Sequence, residues 1–223
     1  MKYLKIKNKK AFSLIELLVT IAIIALLASM ILPTLSNAKL SAKKITCINN
    51  LHQLDLSLIM YADDNEQYFP IRGGNSSNKW PAQLETYYSD LKILKCPNDL
   101  DPKNNGQGSN IPSLEAPRSY IFNGFNDYFK SIPPNNSVVP EGIIKEPSET
   151  IVFGEKDEDS GHWWMDYWMG DDYQELDQTK HKNGSEYSFA DGSTRFLKFG
   201  ESLDPINLWF IDDSLRDMGS ASF

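Results

Sequence analysis

The chain has 223 residues, 41% of them hydrophobic, and a net charge of −8 from 22 basic and 30 acidic side chains. Five of the basic residues are lysines at positions 2, 5, 7, 9 and 10, so the rest of the chain sets 17 basic residues against 30 acidic ones, a charge of −13. That sign excludes nucleic acid as a partner, because such binding depends on neutralising phosphates with Lys and Arg.

The lysine-rich start leads into residues 10–33, KAFSLIELLVTIAIIALLASMILP. From 17 to 32 only Thr20 and Ser29 interrupt the apolar run. Together with 12–15 it reaches about 20 residues, enough to cross a bilayer as a helix. The lysines hold its start in the cytoplasm by the positive-inside rule, so everything after Pro33 is expected outside. One acid, Glu16, sits near the start of the span. A carboxylate in hydrocarbon costs roughly 2.5–3.5 kcal/mol or more, which makes Glu16 a functional residue in search of a partner. An ordinary secretory signal would instead be cut after its apolar region and would have no use for that acid.

Lys9-Lys10-Ala11 followed by Phe12-Ser13-Leu14-Ile15-Glu16 resembles the cleavage and methylation signal of type IV prepilins and type II secretion pseudopilins. The resemblance implies that prepilin peptidase cuts between Ala11 and Phe12 and methylates the new N-terminus. It implies that Glu16 pairs with the terminal amine of a neighbouring subunit, and that Pro33 is the proline frequent in this part of the family's helix. The family usually has Gly before the cut; Ala11 is small enough to serve. Residues 1–11 would then be a cytoplasmic leader, 12–33 the membrane and assembly half of the helix, and 34–223 an extracytoplasmic domain, periplasmic or extracellular. The function implied is that of a structural subunit, a pseudopilin or minor pilin of a type II secretion or type IV pilus-like fibre. It would be no enzyme and would need no cofactor, and its partners would be other pilin subunits, prepilin peptidase and the inner membrane.

Beyond Pro33, apolar residues at 35, 38, 42, 45, 48, 51, 54, 58 and 61 recur at intervals of three and four, the period of one helical face. The helix is therefore expected to continue to about residue 62, with a kink or unwound turn at Pro33. Its outer half is amphipathic and needs cover from the same chain. Cys47 and Cys96 lie in the exported part, where a disulfide is permitted; two free thiols are the alternative. Their spacing fits no compact zinc pattern, and no third Cys exists to complete one.

After the helix only 80–94 shows a weak helical period. Strands are expected at 119–123, 150–154, 186–190 and 194–199. The last two flank Asp191-Gly192, the strongest short hairpin signal, because both turn residues need positive φ. A two-residue loop would set Tyr187 opposite Phe196 and Phe189 opposite Thr194, with the aromatic side against the long helix. The fold expected is α+β and pilin-like: one long N-terminal helix on a mostly antiparallel sheet with long loops.

Several side chains invite chemistry. His181, nine residues, then Asp191-Gly192 resembles the ending of the H-x(9)-DG group of prepilin-like proteins. Asp191 and Gly192 are explained by the turn alone. His181, between two lysines, is expected on an exposed loop, bonded to Asp191 or a backbone carbonyl; metal ligation and acid–base work are its other uses. No nucleophile to partner it is legible. Acids at Asp157 and Asp159, and at Asp171 and Asp172, form oxygen-rich loops of the kind that hold calcium, which major pseudopilins carry in a loop toward their C-terminus. Between them Trp163, Trp164 and Trp168 fall within six residues. If exposed, they would make a stacking platform, and the alternative function is a pilin-anchored surface binding module for polysaccharide or a secreted substrate.

Overall fold

The computed structural model describes residues 13–73, 75–130, 134, 136–166 and 172–216. The chain divides into two compact units, with the boundary after Ser41. Helix α1, Leu14–Asp64, runs unbroken through Pro33 and contributes to both.

In the second unit the period read from the sequence sets the packing. Cys47, Asn50, Leu51, Leu54, Asp55, Leu58, Tyr61 and Ala62 are buried, at the three- and four-residue steps that align side chains on one helical face. That face meets a five-stranded sheet in the order β3-β1-β2-β4-β5. The strands are β1 (Tyr120–Asn123), β2 (Ile151–Glu155), β3 (Trp164–Met165), β4 (Gly184–Phe189) and β5 (Thr194–Lys198). All pairings are antiparallel except β1 with β3, where Phe122 lies beside Trp164. The fold is α+β, one long helix on a mostly antiparallel sheet. Helix α2, Trp80–Leu84, and a 3-10 turn, Leu91–Leu94, occupy the weakly helical stretch. Asp90 starts that turn, its Oδ1 accepting from the Lys92 N–H at 2.9 Å.

β1, β2 and β4 are buried along their whole length, so the sheet has cover on both faces. Successive residues of β1 point to opposite sides. Tyr120 and Phe122 join the apolar cluster built with Leu51, Leu54, Leu58 and Trp80 of the helical side. Ile121 joins a second cluster with Ile151, Tyr187, Phe189, Leu203 and Trp209. Residues after β5 therefore form the other layer. Asn123 ties them down: its Nδ2 donates to the Ile151 carbonyl at 2.7 Å and the Trp209 carbonyl at 2.8 Å. Gly154 is needed there, because a Cβ at that position would stand 2.8 Å from the Trp209 ring.

The hairpin departs from expectation by one residue. Glu186 lies opposite Phe196, and Tyr187 opposite Arg195. The loop holds three residues, 190–192, closed by Gly192 N–H donating to the Phe189 carbonyl, with Gly192 at φ 80°. This is a type I turn followed by a left-handed glycine, which places only the glycine at positive φ. The face assignment is corrected as well. Tyr187 and Phe189 turn away from the helix into the second cluster, whereas Glu186 receives Lys44 of α1 at 3.1 Å.

Asp55 of α1 is buried on the helical side. Burial pushes its carboxyl well above the usual carboxylate range; the Ser188 hydroxyl, outside hydrogen-bond geometry, offsets part of this and the charge of Asp191 adds to it. A raised folded-state pKa means the native chain holds the extra proton, so the contribution is fully present below the ordinary Asp value and is lost as pH rises toward the native one. Asp55→Asn is therefore expected to raise the unfolding midpoint at neutral pH and to lose that advantage below about pH 3.9. Denaturant titrations of both proteins across pH check it.

Candidate functional site

The first unit presents the N-terminal half of α1. Its apolar side chains are all exposed, from Leu14 at 76% to Leu35 at 61%. α1 is long and apolar enough to cross a membrane. The polar residues inside the apolar stretch are satisfied locally: Thr20, Ser29 and Thr34 hydroxyls donate to the carbonyls of Leu17, Leu26 and Ile31 at 2.7–2.8 Å. That suits a helix surrounded by hydrocarbon, where an unpaired hydroxyl is costly. At the start of the helix Glu16 Oε2 accepts from the Ser13 N–H at 2.9 Å, a first-turn carboxylate on an otherwise unpaired helix donor. Ala11 and Phe12 lie outside the described residues.

The second unit encloses a polar cluster beneath α1. Cys47 and Cys96 are joined in a disulfide. His181 is buried, which corrects its expected place on an exposed loop. Its backbone N–H donates to the Gly184 carbonyl at 2.9 Å, and this turn folds the ring inward. Nε2 sits 3.0 Å from Glu155 Oε1 and 3.8 Å from Cys96 Sγ, so the ring's partners are Glu155 and the cysteine, not Asp191. Asp191 instead accepts from the Ser193 N–H at 2.9 Å within the hairpin loop. Glu155 Oε2 accepts from the Glu186 N–H at 2.9 Å. Burial raises the Glu186 carboxyl, and the Lys44 ammonium opposes it.

Three cations that sequence reasoning passed over lie in the core around this cluster: Arg118, Lys156 and Lys180. Lys180 Nζ is held by both oxygens of Asp99 at 2.7 and 2.8 Å and by the Lys156 carbonyl at 2.7 Å. Lys156 Nζ donates to the Ser160 carbonyl at 2.6 Å, and burial brings its ammonium down to about 7. Arg118 donates to the Tyr120 and His162 carbonyls at 2.5 and 2.7 Å; burial lowers it to about 9. These groups hold loops onto the sheet, and nothing in their local sequence marks them as buried.

Trp163 and Trp164 are buried, at 8% and 6% exposure, which removes them as a platform for sugars. The Arg118 guanidinium stands 4.2 Å from the Trp163 ring, and Trp164 packs edge-on against Phe122 at 5.4 Å. β1 holds both residues: Trp164 pairs beside Phe122, whose N–H donates to the Trp163 carbonyl at 3.2 Å. Trp168 and Asp171 lie outside the described residues, as does the side chain of Asp172. Asp159 has a cation already, Lys103 Nζ at 2.8 Å, whose hydrogen bond holds its carboxyl below the usual range. Asp157 Oδ1 accepts from the Asp159 N–H at 2.8 Å. Among the described residues, the side chains of metal-binding type that gather most closely are different ones: Cys47, Cys96, Glu155 and His181, with their donor atoms within 4.8 Å of one another.

Comparison with known proteins bears on the helix. Residues 6–32 match the prokaryotic N-terminal methylation motif. The chain is similar to type II secretion system core protein G of Dickeya chrysanthemi, 29% identical over 97 residues that make up 42% of this chain and 63% of that protein. The match thus spans under two thirds of that relative's length. No solved structure matches.

Proposed function

We propose that the chain is a prepilin-type subunit of a pseudopilin-like fibre based in the inner membrane. Prepilin peptidase cuts it between Ala11 and Phe12, the N-terminus faces the cytoplasm, and the domain after Pro33 lies on the far side of the membrane. The subunit acts by assembling with other pilin or pseudopilin subunits rather than by catalysis.

The observation that carries this reading is the first unit of the helix. Between Ser13 and Pro33 it exposes a continuous apolar surface, satisfies the Thr20 and Ser29 hydroxyls internally, and keeps one charged residue, Glu16, a few positions beyond the lysines. The methylation motif covers the same residues. Such a surface is stable in a bilayer and equally stable in a bundle of like helices, so assembly transfers the helix from lipid to neighbours at small cost. Within that bundle Glu16 pairs with a newly formed terminal amine, which offsets the burial of its charge and fixes the stagger between subunits. Glu16→Gln is the test: the variant is expected to insert in the membrane as the parent does and to be absent from sheared or cross-linked fibres. Fibres that take up the variant at the parental level would contradict the proposal.

A further inference from the structure

Four side chains of metal-binding type meet in the core of the second unit. Cys47 Sγ, Cys96 Sγ, a Glu155 carboxylate oxygen and a His181 ring nitrogen all lie within 4.8 Å of one another, and all four residues are buried. They arrive from α1, from the loop after Leu94, from β2 and from the loop before β4. We propose that these four side chains form a tetrahedral Zn2+ site in the chain whose Cys47–Cys96 bond is open, the disulfide and the metal being alternative occupants of one position in the core.

The donor set argues for zinc. Two thiolates with an imidazole and a carboxylate combine the sulfur, nitrogen and oxygen ligands that zinc accepts in closed, four-coordinate sites. Zinc bonds of about 2.0–2.3 Å place tetrahedral ligand atoms roughly 3.3–3.8 Å apart. The four atoms already fall inside 4.8 Å; once the disulfide opens, the two sulfurs move apart to ligand spacing around the ion and the Glu155 and His181 atoms stand beside it. His181 faces two of the other ligands with one nitrogen, at 3.0 Å from Glu155 and 3.8 Å from Cys96. Outer partners are in place too. Glu155 is oriented by the Glu186 N–H, the Cys96 N–H donates to Ser119 Oγ at 2.9 Å, and the Tyr120 hydroxyl donates to the Cys47 carbonyl at 3.5 Å. Cys47 on α1 and Glu155 on β2 are held more precisely than ligands on loops are.

The exchange balances. A dithiol supplies two electrons and two protons, turning the disulfide into two thiols while it closes to its own disulfide. One Zn2+ then replaces the two thiol protons, which pass to solvent, and the neutral imidazole ligates through Nε2. A newly made chain has thiols before it has a disulfide, so the metal would hold α1, β2 and the His181 loop together until oxidation.

The test uses full-length protein in detergent, reduced by a dithiol without oxygen, stripped by a chelator and titrated with Co2+ as a visible substitute for Zn2+. One equivalent is expected to bind, giving the strong visible bands of tetrahedral cobalt and near-ultraviolet thiolate charge transfer, both removed by Zn2+; the oxidised chain should give neither. His181→Gln and Glu155→Gln should weaken binding by more than the roughly 10–100-fold that loss of an outer-shell partner costs, and His162→Gln should not. X-ray absorption on the zinc-loaded parent, which needs no variant, should give two sulfur and two nitrogen or oxygen neighbours. A reduced chain that gives no cobalt bands, folded or unfolded, overturns the site. So do affinity unchanged in folded His181→Gln and Glu155→Gln, and any other ligand count.

Discussion

Trp80→Ala is expected to lower the unfolding free energy by about 3–5 kcal/mol, the range for truncating a buried Trp or Phe. The side chain is fully buried, packs edge-on against Phe153 with ring centroids 5.1 Å apart, and donates from Nε1 to the Trp163 carbonyl at 2.8 Å. Three losses coincide. A large cavity opens between α2 and the sheet, an aromatic pair worth about 0.5–1.5 kcal/mol disappears, and the Trp163 carbonyl loses one of its two donors, keeping the Phe122 N–H at 3.2 Å, a hydrogen bond worth about 0.5–1.5 kcal/mol. The same carbonyl belongs to the segment leading into β3, so the edge of the sheet should loosen as well. Phe199→Ala is the control: that ring is 68% exposed, and its loss should stay within about 0.5 kcal/mol. Denaturant unfolding of the three proteins in one detergent separates the outcomes. A Trp80→Ala change no larger than the control would refute the packing described for this core.

Replacing Cys47 and Cys96 together by Ala, with a chelator present, should cost about 4 kcal/mol. The two residues lie 49 apart in sequence, and closing a loop of that length removes about this much entropy from the unfolded chain. Both residues are fully buried, so the Ala pair also leaves a cavity, whereas Ser would add unsatisfied hydroxyls. The bond joins α1 to the loop that follows Leu94, and its loss should free the helix from that side of the domain first. Hydrogen exchange along residues 44–62 should rise more than exchange in β4, which keeps its neighbours β2 and β5. Equal exchange in both regions would mean the bond does not set the local stability of the helix.

The long helix and the α+β class were legible because their signals are local. Apolar residues at steps of three and four reach from the membrane span into the buried face of α1, and runs rich in β-branched and aromatic residues fall on β1, β2, β4 and β5. The hairpin register was misread because Asp-Gly serves two loops: a two-residue turn, and a three-residue turn that ends in a left-handed glycine. One residue of difference reverses every side chain of a strand. This is why Phe196 stands beside Glu186, beneath Lys44 of α1, and not beside Tyr187. β3 escaped notice because two residues carry no periodicity; only their parallel partner β1 makes them a strand.

The candidate sites divide in the same way. Ala11, Phe12 and Glu16 could be named because a short contiguous motif carries them. The core cluster could not, since Cys47, Cys96, Glu155 and His181 are brought together by tertiary packing and share no local pattern. Two lysines flanking a histidine read as surface, yet Lys180 is buried on Asp99 and His181 on Glu155, pairings set by residues 81 and 26 positions away. Trp163 and Trp164 read either way from sequence: a dense aromatic run between acidic stretches makes a platform if exposed and core if buried, and the β1–β3 pairing with Arg118 encloses it.

The proposed identity rests on processing at the membrane, and intact mass with N-terminal sequencing of protein purified from its native membrane tests that most directly. The account predicts a chain beginning at Phe12 and carrying one methyl group on its terminal amine. A chain beginning at Met1, or one beginning after Pro33, would contradict it and return the apolar segment to a plain anchor or a secretory signal.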